Sequence, residues 1–353
     1  MRLFNIRRYR KKLLLLLIFF SIIFAGFWTW INIGIKENLS IEFIDIIPVQ
    51  NREIDEINEV VITIRNTGSY PIIPRFSIYR NFLSYNPTPW RILEGPEILR
   101  PGTSATYRIH TEYPEWFVKN GDIITIIVND ARNANIIKIS PQIRINVMES
   151  NSVKNGFFRY WLTDTKLGLK VPYKWQLILK KSLNDNFLIS IADIEAKSGL
   201  MMQVYQDGRK ENGLEFGKSV VEEEWAHVGV IQKVPLFTTL NFYIFPTFNS
   251  TRGLIESGIR ISDGAFRHLL ILFSEDVSAK QYRYSLYNTG VQEIVLVLPT
   301  HLNTWNYYEI NIAEGWGYLG WELPKEFYIE LYIAAHYTKP GNYTVYFNEV
   351  LTK

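Results

Sequence analysis

Residues 326–335 read Glu-Phe-Tyr-Ile-Glu-Leu-Tyr-Ile-Ala-Ala, and their alternation decides the fold class. Phe327, Ile329, Leu331, Ile333 and Ala335 fall on one side of an extended chain; Tyr328, Glu330, Tyr332 and Ala334 fall on the other. Successive side chains of a strand point to opposite faces, so the first set is expected to face a core. The same period recurs upstream. Val60, Ile62 and Ile64 alternate with Val61, Thr63 and Arg65 before the turn Asn66-Thr67-Gly68-Ser69. Arg100-Pro101-Gly102-Thr103 leads into 105–109, and Gly121-Asp122 precedes 123–128. Further strands are expected at 188–191, 228–234, 240–244, 268–273, 293–298 and 343–350, between clusters of turn formers. From Ser40 onward no 3.6-residue apolar period of useful length appears. The polar stretch Glu149-Ser150-Asn151-Ser152 marks a boundary, so two antiparallel β-sandwiches are expected, over 38–148 and 155–353.

Composition agrees with sheets. Of 353 residues, 47% are hydrophobic and 21% charged, which excludes a disordered or collagen-like chain. Aromatics reach 15%, a bias suited to pleated surfaces. The absence of cysteine removes disulfides, thiol catalysis and cysteine metal sites from consideration.

Residues 13–35 carry no charged side chain. As a helix, 23 residues would extend about 34 Å, enough for a hydrocarbon core of about 30 Å. Trp28 and Trp30 sit near one end, and Arg2, Arg7, Arg8, Arg10, Lys11 and Lys12 precede the run. The positive-inside rule then predicts a cytoplasmic stub (1–12), a transmembrane signal-anchor helix (13–35) and an extracytoplasmic remainder in a single-pass cell-membrane protein. A cleaved signal peptide is the rival; Ala25-Gly26 followed by Phe27-Trp28 makes a poor cleavage site. Net charge is +3, of which 1–12 contribute +6, so the remainder carries −3. That balance gives no footprint for nucleic acid. The expected fold class is all-β after one N-terminal helix.

The segments "NEVVITIRNTGSYPIIPRFSIY", "LRPGTSATYRI" and "NGDIITIIVND" resemble the immunoglobulin-like, CARDB-like modules of prokaryotic cell surfaces, over about 40–148. The resemblance implies a spacer and assigns no ligand. Asn155-Gly156-Phe157-Phe158 with Trp161 and Trp175, Trp225 to Val228 with Gln232, and Tyr346-Phe347-Asn348-Glu349-Val350 resemble the carbohydrate-binding, galactose-binding-like jelly rolls, over about 155–352. The resemblance implies sugar recognition. Arg159 and Asn348 stand where that family often has the acidic residues of a structural calcium site. A cation and a neutral amide are poor replacements for carboxylate ligands, so no metal is expected.

Other motifs carry less. Gly213 to Ser219 mimics a phosphate-binding loop with one residue too few, and Glu215 would oppose a phosphate. His110, His227, His268, His301 and His336 form no metal-binding pattern and read as ordinary strand or loop residues. No Gly-x-Ser-x-Gly elbow occurs. Glu222 and Glu224 alternate beside Trp225, as the paired carboxylates of a glycoside hydrolase can, although three acids before an apolar strand also serve as an edge guard. In Glu314-Gly315-Trp316-Gly317-Tyr318-Leu319-Gly320-Trp321, glycines and three aromatic rings predict either a sugar platform or a plug for the sandwich end. Trp305, Tyr307 and Tyr308 share that ambiguity. Sequons occur at Asn38, Asn249 and Asn342, with Asn249 and Asn342 the glycosylation candidates.

These readings converge on a non-catalytic, cofactor-free surface protein that binds glycan or protein, with Trp316, Tyr318, Trp321 and Trp225 as ligand-binding candidates. Its partners would be membrane lipid through 13–35 and a polysaccharide or envelope proteins. Two alternatives follow: a structural subunit of an envelope complex, and a membrane-tethered glycoside hydrolase.

Overall fold

The computed structural model describes residues 41–81, 90–150, 152–180, 186–195, 197–206, 225–251, 255–286, 290–336 and 341–353. The apolar run 13–35 and Asn38 lie outside these residues. Among the described residues no helix is long and apolar enough to cross a membrane. The chain forms two compact units, one built from 41–51, 56–111 and 116–147, the other from 52–55, 112–115 and 148–353.

Unit 1 contains β1 (Ile41–Asn51), β2 (Glu56–Asn66), β3 (Pro74–Arg80), β4 (Arg91–Glu94), β5 (Ser104–His110), β6 (Ile123–Asp130), β7 (Asn133–Ile139) and β8 (Ile143–Arg144). One sheet has the order β1-β2-β5-β4; the other has β3-β6-β7, with β8 also on β6. All pairs are antiparallel. The alternating residues do what their period requires: Val60, Ile62 and Ile64 meet Ile124, Ile126 and Val128 in one core. Edge strand β1 is blunted by Pro48 and by two register shifts, devices that discourage edge-to-edge pairing.

Unit 2 contains β9 (Trp161–Thr163), β10 (Lys170–Pro172), β11 (Gln176–Lys180), β12 (Asn186–Ile194), β13 (Lys197–Gln206), β14 (Trp225–Pro235), β15 (Thr239–Pro246), β16 (Ile255–Ser262), β17 (Arg267–Ser274), β18 (Gln281–Leu286), β19 (Gln292–Pro299), β20 (Asn306–Asn311), the short helix α1 (Ile312–Gly317), β21 (Glu326–His336) and β22 (Gly341–Thr352). A seven-stranded sheet runs β11-β14-β21-β16-β17-β19-β18, and a five-stranded sheet runs β12-β13-β22-β15-β20. Phe327, Ile329, Leu331, Ile333 and Ala335 of β21 are all buried in the core, together with Val345, Phe347 and Val350 of β22. This unit departs from a wholly antiparallel sandwich at one place. β19 inserts between β17 and β18 and pairs with β17 in parallel.

The Asn-Gly-x-Phe motif has a structural use. Asn155 is buried with φ at 52°, and its amide nitrogen donates to the carbonyls of Tyr160 and Tyr173. Gly156 accepts from the Val350 amide at 3.0 Å, which ties the start of the unit to its closing strand. A Cβ at Gly156 would run into the Val350 carbonyl oxygen. Gly156→Ala is therefore expected to cost about 1–3 kcal/mol through overpacking, read as a lower denaturant midpoint at unchanged slope.

Candidate functional site

The sequence-predicted platform is not one surface. Asn311 caps α1, its side chain accepting from the Glu314 amide at 3.0 Å, so the start of the glycine-rich aromatic segment is helical. That turn carries Trp316 inward. Trp316 is fully buried, donates its indole N–H to the Glu322 carbonyl at 3.0 Å, and stands edge-on to Trp321 and Phe327. The plug reading describes it, and the sugar-platform reading does not. Trp321 is half-buried against the core, with its indole N–H on Gln292 and the Arg267 guanidinium 5.9 Å from its ring. Only Tyr318 is exposed, stacked on Tyr282 at 5.1 Å. Trp225 opens β14 opposite His336; its side chain, like Glu222, Glu224 and the loop 213–219, lies outside the described residues. The Asn249 side-chain oxygen accepts from the Glu275 amide, and Asn342 is exposed near the start of β22. Arg159 pairs with Glu53 at 3.5 Å, and Asn348 bonds the Glu349 amide.

Two other places concentrate chemistry. The first is the outer face of the five-stranded sheet. Phe242 and Ile244 of β15 enter the core, so Tyr243 and Phe245 lie on the other side of the sheet, Tyr243 half-buried and Phe245 buried beneath its neighbours. Tyr243 lies opposite Tyr307 of β20, their rings 5.0 Å apart. Phe245 lies opposite Tyr346 of β22 and touches both Tyr346 (5.6 Å) and Trp305 (5.7 Å). Tyr307 is 51% exposed. Its neighbour Tyr308 turns inward between Phe242 and Phe273 and donates to the Pro299 carbonyl. Three strands and the residue just before β20 thus bring five rings to one face. Polar groups border them: Lys197, 3.5 Å from Glu349, Glu309 with Lys353 at 3.8 Å, and Asn241 in register with Glu309. The Trp305 indole N–H donates to the Ile194 carbonyl, which brings the tip of the β12–β13 hairpin to the same rings.

The second is the outer face of the seven-stranded sheet. Glu330 of β21 sits opposite Arg260 of β16. Its carboxylate accepts from Arg260 at 2.6 Å and contacts the His227 Nε2 of β14 at 2.7 Å. Tyr332 donates to Glu256 at 2.8 Å, stacks against the His227 ring at 5.1 Å, and lies under the Arg260 guanidinium at 4.8 Å. Gly229 and Gly258 flank Tyr332 in register; a Cβ at Gly258 would sit 3.3 Å from its ring. His268 and Glu293 are neighbours on β17 and β19. Glu256, Glu293 and Glu330 are each at most 4% exposed, and Leu270, Leu272, Val295 and Val297 form an apolar cluster on the same face. Burial alone would raise the Glu330 pKa. The His227 hydrogen bond and the Arg260 charge outweigh it and hold the carboxyl below its ordinary value. Burial, helped by the Arg260 charge, pushes the His268 pKa down.

Sequence reasoning missed both places. It gave Tyr307 no more than a share in an ambiguity, and it dismissed His227 and His268 one at a time. The usable signal was polar residues at outward positions of five otherwise apolar strands.

No protein family and no curated protein matches the sequence. Among solved structures, the chain is similar to the xyloglucanase domain of NopAA, a type three effector from Sinorhizobium fredii, in complex with cellobiose, at 15% identity and TM-score 0.33, covering 51% of this chain and 93% of that one. It is similar to a family 12 xyloglucanase from Bacillus licheniformis at 10% identity and TM-score 0.31, over 54% and 96%. TmCBM61 in complex with beta-1,4-galactotriose gives 12% identity and TM-score 0.28, over 58% and 99%. These likenesses are distant and assign no residue or ligand to this chain.

Proposed function

We propose that this chain is a non-catalytic glycan-binding surface protein, with its saccharide lying on the aromatic face of the five-stranded sheet. One observation carries the reading: Tyr243 of β15, Tyr307 of β20, Tyr346 of β22 and Trp305 just before β20 gather around the buried Phe245 on one partly open face. Pyranose rings present C–H faces that pack on aromatic rings, and their hydroxyls meet polar groups at the border. Unit 1 has the strand order 1-2-5-4 with 3-6-7, that of constant-type immunoglobulin sandwiches, which supports its role as a spacer. The uncharged run 13–35, behind six cations, supports the membrane anchor and an extracytoplasmic location.

The test is a glycan array on the detergent-solubilised chain, followed by calorimetry on the glycans retained. Tyr307→Ala should weaken binding by about 1–2 kcal/mol, five- to thirtyfold in Kd, with unfolding unchanged because the ring is half-exposed. Retention of full affinity by Tyr307→Ala and Tyr243→Ala together would remove the reading. A glycoside hydrolase is the second reading, resting on Glu222 and Glu224, which alternate beside Trp225. Release of reducing ends by the wild-type chain, kept by Tyr307→Ala and lost in Glu222→Gln or Glu224→Gln, would establish it instead.

A further inference from the structure

The aromatic face already holds a cation of the protein's own. The Lys197 ammonium lies 3.7 Å from the centroid of the Tyr243 ring and 3.5 Å from Glu349 Oε1. A π-face with a carboxylate beside it is a cation seat, since the ring quadrupole and the negative charge attract the same group. The backbone is shaped to make that seat. Register between β15 and β22 slips between Asn241 and Tyr243, and Glu349, within the slip, has φ at 52°, left-handed for a residue with a Cβ. Bulges of this kind re-aim a side chain, here a carboxylate, at the cost of local strain. Further acceptors border the rings. Glu309 is one, and the Asn241 amide oxygen, in register with it, is buried with no donor among the described residues.

We infer that this face takes a glycan bearing free amino groups, with a ligand ammonium replacing Lys197 between Tyr243 and Glu349. The inference rests on the glycan-platform reading above. A protonated amino sugar supplies the C–H face that stacks and the cation that the seat holds. A neutral sugar supplies only the first, and a uronate or sulfated sugar would meet Glu349 and Glu309 as like charges. Lys197 is then an internal competitor, carried on the hairpin whose tip Trp305 also holds.

The test titrates the detergent-solubilised full chain with oligomers of glucosamine, N-acetylglucosamine, glucose and galacturonate, at a pH where the amine is protonated. The glucosamine oligomer should bind at least tenfold tighter than its N-acetylated form, and less so as salt rises. Lys197→Met should tighten it several-fold. Glu349→Gln should erase the preference while circular dichroism and unfolding stay unchanged. Equal affinity for acetylated and free-amine oligomers, or a preference that survives Glu349→Gln, would overturn the inference. If amine and neutral oligomers bind alike and Tyr307→Ala weakens both, this inference fails and the platform stands. If Tyr307→Ala weakens neither, the platform itself fails.

Discussion

Glu330→Ala is expected to lower the unfolding free energy by about 3–5 kcal/mol, the cost of leaving a buried ion cluster without its counter-charge. The carboxylate is 4% exposed and is the shared partner of Arg260 and His227. Its loss removes the carboxylate bonded to the Arg260 guanidinium, whose Nε already has no acceptor among the described residues, and leaves it only the charges of Glu256 and Glu293. Replacing all three by apolar residues of similar size (Glu330→Leu, Arg260→Met, His227→Leu) should recover only part of the loss, because Glu256 and Glu293 stay buried without the Arg260 charge. Urea unfolding followed by tryptophan fluorescence measures both variants. An alanine variant within 1 kcal/mol of wild type would show that the cluster contributes little.

The same cluster sets the acid limb of stability. Glu330 titrates below its ordinary 4.5, so its contribution is complete above that pH and is lost as pH falls further. His268 titrates below its ordinary 6.5, so the unfolded chain takes up that proton first and stability already declines as pH drops beneath 6.5. Glu330→Ala should therefore flatten the profile below 4.5 and leave the shoulder near 6.5 in place.

Trp316→Ala is expected to cost about 3–5 kcal/mol, the range for emptying a large aromatic site in a packed core. The indole is fully buried, packs on Trp321 and Phe327, and fills its hydrogen bond within the chain. Tyr318→Ala, two residues on and exposed, should change stability by under about 0.5 kcal/mol. Glycan affinity of the folded fraction should be the same in both. A Trp316→Ala protein of wild-type stability that had lost glycan binding would restore the loop as a platform.

Legibility followed period and range. The alternation in 326–335 named the inward residues of β21 correctly, because a core-facing strand must repeat every second residue. The same alternation placed Glu330 and Tyr332 on the opposite side, yet could not show that side to be buried. Its partners His227 and Glu256 lie 103 residues from Glu330 and 76 from Tyr332 along the chain. The helix at 312–317 escaped because six residues are too few for a periodic signal, and its cap Asn311 reads as one more turn former.

What the amino-acid sequence determined by itself is local: extended strands, turns, a charge-free run behind six cations, and a chain without cysteine chemistry. Each follows from neighbours within a few residues, through side-chain alternation, backbone preference and transfer cost. Only the tertiary structure decided that Trp316 is packing, that five rings distant in the chain share a face, and that Glu349 is turned toward Lys197. Those depend on strand order and on a register slip in β22, and register is settled by the whole sheet at once.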